Sequence, residues 1–80
     1  MILVEVQVPA LQQTYEFSVD ENRLIYDIIL EMRQIISRKL REEKPDAWFE
    51  LHSREQGRAL PVDRPFSRCG ILDGAKLILV

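Results

Sequence analysis

The amino-acid sequence predicts an α+β domain in which one long helix lies across one face of a mixed five-stranded sheet. Apolar residues alternate with period two near both ends of the chain, as in half-buried strands, and recur at three- and four-residue steps in the middle, as in an amphipathic helix. Turn residues separate the segments into the order strand, strand, helix, strand, short strand, strand. The chain has 80 residues, 46% of them hydrophobic. We expect a single domain over residues 1–80, because so short a chain rarely divides into two buried cores.

The first two strands are predicted to pair as an antiparallel hairpin. Pro9 ends the first strand, because proline has no N–H to donate to a sheet ladder. A polar connection through Gln12 and Gln13 then leads into the second strand. The core-facing residues are expected at every second position: Ile2, Val4, Val6 and Val8 in the first strand, and Tyr15, Phe17 and Val19 in the second.

From Arg23 the apolar spacing becomes that of an amphipathic helix of about five turns. Asp20 and Asn22 offer side-chain oxygens that could cap its first amide groups, and Pro45 is expected to stop it. Basic residues near its end match the negative end of the helix dipole. The apolar stripe consists of Ile25, Ile28, Ile29, Met32, Ile35, Ile36 and Leu40.

The remaining strands follow the helix. A third strand over residues 48–52 and a short one at Ala59–Leu60 are separated by a polar turn. Pro65 suits the first position of a single helical turn, and Gly70 can end that turn in the left-handed region. Asp73 and Gly74 then turn the chain into the closing strand, which we expect to run parallel to the first. Alternation assigns Phe49, Leu51, Leu77 and Leu79 to the core, and Trp48, Glu50, His52, Lys76, Ile78 and Val80 to the open side of the sheet.

The spacing of the last third of the chain resembles that of ubiquitin at Gly57, Leu60, Arg64, Phe66, Ser67, Ile71, Leu77 and Leu79. The local pattern Ser67-x-Cys69-Gly70-Ile71-x-x-Gly74-x-x-Leu77-x-Leu79 is similar to that of the YukD/EsaB type of bacterial ubiquitin-like protein. That family accompanies type VII (WXG100) secretion loci in Gram-positive bacteria. The resemblance implies a β-grasp fold and a cytoplasmic accessory or regulatory role in such a system.

Composition argues against several classes of function. The net charge of −2 is far from the basic balance that phosphate contacts require, so we expect no nucleic-acid partner. No apolar run is long enough to insert into a membrane, and a single cysteine favours a reducing, intracellular location. We expect Cys69 to be buried and structural, and the lone His52 not to bind a metal. No catalytic group has a visible partner, so we expect no enzyme activity and no cofactor.

Two alternatives to a free-standing secretion component remain open. Ubiquitin and the sulfur carriers that resemble it end in a Gly-Gly tail, whereas this sequence stops at the β-branched Val80. Activation of the C-terminus is therefore disfavoured, although a modifier or sulfur carrier is still the first alternative. The second is a ubiquitin-like domain of a larger adaptor. The apolar centre of ubiquitin's recognition patch would fall near His52 or Arg54, so ordinary ubiquitin receptors are not expected to bind.

The open side of the sheet is the candidate binding surface, because apolar residues there would lack a core to pack against. We expect a protein partner on this surface, either the cytoplasmic domain of a membrane component of the secretion system or a second copy of the chain. Tyr26 and Leu30, beside the helix stripe, are a second candidate surface. The residues proposed for the main surface are Leu3, Trp48, Glu50, His52, Ile78 and Val80.

Overall fold

A computed structural model describes residues 1–40 and 50–80, and these residues form one mixed sheet covered by a helix. Within these ranges the sheet has five strands in the order β2-β1-β5-β3-β4. Two short 3-10 turns, Pro9–Leu11 and Phe66–Arg68, connect elements. The strands and the helix are β1 (Ile2–Val8), β2 (Gln13–Val19), α1 (Ile25–Leu40), β3 (Leu51–Ser53), β4 (Arg58–Ala59) and β5 (Ala75–Leu79).

The centre of the sheet has the predicted topology. Strands β1 and β2 are antiparallel, with Val4 opposite Phe17. Strands β1 and β5 are parallel, with Val6 beside Leu77. Asp73, just before β5, holds the start of β1 next to it, because its Oδ1 accepts the Leu3 N–H at 2.7 Å. The predicted hairpin and the predicted parallel pairing of the first and last strands are both confirmed.

The hydrophobic core lies between the sheet and α1. Alternate residues of β1, β2 and β5 meet the apolar stripe of the helix, as the two periodicities predicted. Phe66, from the second 3-10 turn, is fully buried in the same cluster. The other members are Val4, Val6, Val8, Phe17, Val19, Ile25, Ile28, Ile29, Met32, Ile36, Leu51, Leu60, Cys69, Ile71, Leu77 and Leu79.

The start of the helix differs from the sequence prediction. The helix begins at Ile25, and Asp20 Oδ1 accepts the Asn22 N–H within the preceding turn instead of capping the helix. The first helical amides are satisfied from another part of the chain. Ile25 N–H donates to the Arg64 carbonyl and Tyr26 N–H to the carbonyl of residue 62, both at 2.9 Å. The predicted side-chain cap is therefore wrong, because a distant loop supplies the acceptors.

The far side of the sheet is built from short strands. Strand β3 begins at Leu51, and β4 covers Arg58–Ala59, one residue earlier than predicted. Two predictions lie outside the described residues: the end of the helix near Pro45, and the part of the third strand that contains Trp48 and Phe49. Outside the strands, Gly70 and Gly74 have φ values of 71° and 84°, which confirms both as turn glycines.

Candidate protein-interaction surface

The open face of the sheet is divided into a polar half and an apolar half. Residues directly opposite one another on paired strands have side chains on the same face of the sheet. The register therefore shows which outward side chains are neighbours across the strands. On β2 and β1 these side chains are almost all polar or charged: Thr14, Glu16, Ser18, Glu5 and Gln7. On β5 and β3 the row through Ile78 and His52 is much less polar.

A shallow hollow of about 420 Å³ lies on the apolar half. Ile78 and His52, which are directly opposite each other on β5 and β3, both line it. Val80 also lines it and is 47% exposed. Arg54 and Arg58 also line the hollow and give it a basic rim. A hollow with apolar walls and a charged rim can take an apolar side chain of a partner at its centre and acidic groups at its border.

The backbone around this hollow is held by the sheet ladder beyond the ends of the strands. Glu50 N–H donates to the Val80 carbonyl and Val80 N–H donates to the Glu50 carbonyl, each at 2.9 Å. His52 Nε2 lies 3.0 Å from Glu50 Oε1, which orients the imidazole ring. Four of the six residues proposed from the sequence, Glu50, His52, Ile78 and Val80, are therefore brought together.

Leu3 is separated from the other proposed residues. Its side chain is 51% exposed, but it lies at the end of β1 where its carbonyl accepts the Gly74 N–H. Ile78 lies beside Gln7, near the other end of β1. The level of Ile78 on β1 is therefore four residue steps from Leu3, which is about 13 Å along the strand. Glu5 and Lys76 occupy the face between them. Trp48, the sixth proposed residue, lies outside the described residues.

The second candidate surface lies at the start of α1. Tyr26 is 50% exposed and Leu30 is partly buried. The backbone hydrogen bond between Tyr26 and Val62 adds an exposed apolar residue that the sequence prediction omitted. Leu24, which forms an isolated bridge with Pro65, is also exposed. Alternation and helical periodicity gave no indication of this neighbourhood, because it depends on a contact between the helix and a distant loop.

The titratable residues near the 54–57 turn have structural partners. Glu55 Oε1 accepts the Lys76 N–H at 3.0 Å, and hydrogen bonds from its own backbone and from Lys76 lower the pKa of the Glu55 carboxyl. Gln56 Nε2 donates to the Cys69 carbonyl at 2.7 Å, and Cys69 is buried and free, as predicted.

Two further findings concern the described residues only. They contain no group of three or more His, Cys, Asp or Glu side chains that could hold a metal ion. Residues 1–40 and 50–80 also include no helix with the length and apolarity needed to cross a bilayer.

Comparison with solved structures identifies the architecture. The N-terminal ubiquitin-like domain of the 4931431F19Rik protein matches with a TM-score of 0.68 and 29% identity, covering 99% of this chain and 72% of that one. The chain has the ubiquitin-like β-grasp fold. The EccD5 ubiquitin-like domain from Mycobacterium xenopi matches with a TM-score of 0.71 and 18% identity, covering 99% and 91% of the two chains. No protein-family model and no curated protein matches the sequence.

A further β-grasp match lies inside a large assembly. A chain of the MycP5-free ESX-5 inner membrane complex matches with a TM-score of 0.77 and 17% identity, over 99% of this chain and 20% of that chain. The region that matches is thus a small part of that longer chain. At such identities the likeness shows the fold, and the open-face residues must be considered on their own chemistry.

Proposed function

We propose that this β-grasp domain is a non-catalytic, non-conjugated protein-interaction module that docks a protein partner on the apolar half of its open sheet face. The observation that carries the proposal is the hollow around Ile78, His52 and Val80. Binding energy concentrates where an apolar pocket can be fully desolvated by a partner's side chain. The hollow is the part of the open face where the apolar side chains of Ile78 and Val80 lie beside the imidazole of His52.

The charges around the hollow favour one orientation of the partner. Arg54 and Arg58 border it on the β3 and β4 side, whereas Glu5 and Glu16 lie on the other half of the face. A partner with acidic groups on the β4 side and few acidic groups on the β2 side is complementary to this distribution. The polar half restricts docking to the β5, β3 and β4 strands.

We propose a type VII (WXG100) secretion system as the setting. The likeness to the EccD5 ubiquitin-like domain and to part of a chain of the ESX-5 inner membrane complex supports this setting, as does the YukD/EsaB-like pattern from Ser67 to Leu79. In this proposal the domain acts in the cytoplasm as an accessory or regulatory component, and its partner is the cytoplasmic domain of a membrane component of the same system.

A direct binding measurement tests the surface. The purified chain is titrated by calorimetry with the cytoplasmic domain of the membrane component encoded by the same genome. Ile78→Glu places a charge in the lining of the hollow, and we expect affinity to fall by about 30-fold, the effect of losing a hot spot of about 2 kcal/mol. Thr14→Glu adds the same charge to the polar half of the same face, and we expect affinity within about twofold of the unmodified chain.

The outcome separates the proposed partner from the alternatives. Equal affinities for the Ile78→Glu and Thr14→Glu variants would show that the hollow is not the binding surface. A dimer in sedimentation that Ile78→Glu dissociates would assign the surface to a second copy of the chain. A covalent adduct at the C-terminus, detected by intact mass of protein from its native cell, would support a modifier or sulfur carrier instead.

A further inference from the structure

The outer edge of β2 carries hydrogen-bonding groups that the sheet does not use. Leu3 directs its N–H and C=O toward the β5 side, where they meet Asp73 and Gly74. By alternation, the even-numbered residues of β1 direct theirs toward β2. Strand β2 is at the end of the strand order, and no other described strand pairs with it. The groups that face outward therefore belong to Thr14, Glu16 and Ser18.

The edge of β2 is a continuous strand, and apolar side chains line its side that faces α1. β2 is seven residues long and contains no proline, so it lacks a common device that prevents edge pairing. On its inner side, Phe17 and Val19 border a narrow groove against Ile35 of α1. Tyr15 continues this border, with Lys39 Nζ at 5.2 Å from its ring centroid. Inward side chains of an added strand would extend the apolar layer between the sheet and the helix.

The outward side of the edge is acidic. Glu16 lies directly opposite Glu5, and like charges in this position repel each other. Glu5 has Lys76 on its other side, whereas the described residues place no cation directly beside Glu16 on the outward side of the edge. Lys39 is on the helix side of β2, above the Tyr15 ring, and Glu31 lines the groove on that side. A cation placed beside Glu16 on the outward side would relieve this repulsion.

We propose that the β2 edge binds an extended peptide segment of a protein partner as an additional strand, with a Lys or Arg of that segment opposite Glu16 and apolar residues facing the groove. Backbone hydrogen bonds to Thr14, Glu16 and Ser18 provide the affinity, and the charge and the apolar positions provide the selectivity. This site is distinct from the hollow on the open face, because β1 and the polar half of the sheet separate the two.

The charge pattern favours such a segment over a second copy of the chain. A two-fold antiparallel pairing of β2 with itself that uses all three free residues would place Glu16 opposite its own counterpart. Shifting the register by one hydrogen-bonded pair brings either Gln12 or Asp20 into the ladder. The φ of Gln12 is 52°, which is incompatible with an extended strand, and the Asp20 carbonyl already accepts the Arg23 N–H at 3.1 Å. The edge is therefore disfavoured for self-pairing.

A pair of synthetic peptides tests the site. Each is blocked at both ends and alternates valine with threonine, and the central threonine is replaced by lysine in one peptide and by glutamate in the other. Binding to the full isotope-labelled chain is followed by NMR. We expect the lysine peptide to bind more tightly, and we expect the amides of Thr14, Glu16 and Ser18 to shift and to gain protection from hydrogen exchange.

Variants of the chain separate charge from backbone pairing. Glu16→Lys should invert the preference, with the affinity for the lysine peptide falling about fivefold and that for the glutamate peptide rising. Ser18→Pro removes one outward donor without touching the β1 ladder and should weaken both peptides. Asp63→Lys makes the same charge change in an exposed turn and should leave the preference unaltered.

Other results would overturn the proposal. Peptide-induced shifts centred on His52 and Ile78, or no shifts at millimolar peptide, would exclude the β2 edge as the site. A self-associated chain whose dimer is abolished by Ser18→Pro would show that the edge pairs with a second copy. An unchanged preference in the Glu16→Lys variant would show that the carboxylate does not select the segment.

Discussion

Phe66→Ala is expected to remove a large part of the folding stability of the domain. Phe66 is fully buried, and it projects from a 3-10 turn of three residues into the core shared by the sheet and α1. A buried phenylalanine removes about 150–250 Å² from water, which at about 25 cal/mol per Å² corresponds to about 4–6 kcal/mol. Measured Phe→Ala substitutions in cores cost about 3–5 kcal/mol. Both routes give a loss of about 4 kcal/mol.

This loss is large relative to the whole free energy of unfolding. At about 0.05–0.15 kcal/mol per residue, a chain of 80 residues has a stability of about 4–12 kcal/mol. The variant is therefore expected to keep little stability at the low end of that range. In a urea titration followed by circular dichroism of the helix, a slope of about 1 kcal/mol per molar converts the loss into a midpoint lowered by about 4 M, or into a chain already unfolded in buffer.

Leu72→Ala is the matched control from the same connecting segment. Leu72 is 74% exposed, so its truncation should change stability by no more than about 0.5 kcal/mol. A midpoint that falls by less than about 1 M in Phe66→Ala, or by equal amounts in the two variants, would refute the assignment of Phe66 to the core. The segment that leads into β5 would then be attached to the domain in another way.

Two further predictions concern turns. The pKa of Glu55 is lowered in the folded state by backbone hydrogen bonds, so its contribution to stability is present at neutral pH and is lost as pH falls through and below the ordinary glutamate pKa of about 4.3. The difference in stability between the unmodified chain and Glu55→Gln, from urea titrations at several pH values, should therefore close as the pH is lowered, and a constant difference would contradict the linkage. A Cβ added at Gly74 meets no atom within 4 Å, so Gly74→Ala should cost only the backbone strain of a positive φ, about 1–2 kcal/mol, and D-alanine introduced at the same position by chemical synthesis should avoid that cost in thermal unfolding.

The sequence was sufficient for the elements whose formation depends on local periodicity. Alternation predicted the core-facing residues of β1, β2 and β5, and helical spacing predicted the buried stripe of α1. The helix start could not be obtained in this way. Its amides bond to the carbonyls of residues 62 and 64, and a local search for capping side chains cannot detect acceptors nearly forty residues away.

The candidate surface was predictable to a similar extent. Alternation correctly assigned His52 and Ile78 to the open face, because that assignment needs only the phase of each strand. It could not assign Leu3 to the correct end of the face, because phase carries no information on the register between β1 and β5. That register is held by Asp73, whose carboxylate binds the Leu3 amide, and it became known only from the fold.

The two proposed sites face different directions, so the partners proposed for them would not compete for the same surface. The hollow faces away from the helix, so a partner there approaches perpendicular to the sheet. A segment added to β2 approaches within the plane of the sheet, on the far side of β1 from the hollow. The acidic and polar side chains of β1 and β2 keep an apolar partner on the β5 side, and the same acidic group, Glu16, selects the charge of a segment at the edge. Taken together, the two proposals make this small domain a connector between a folded partner at the hollow and an extended segment at the β2 edge.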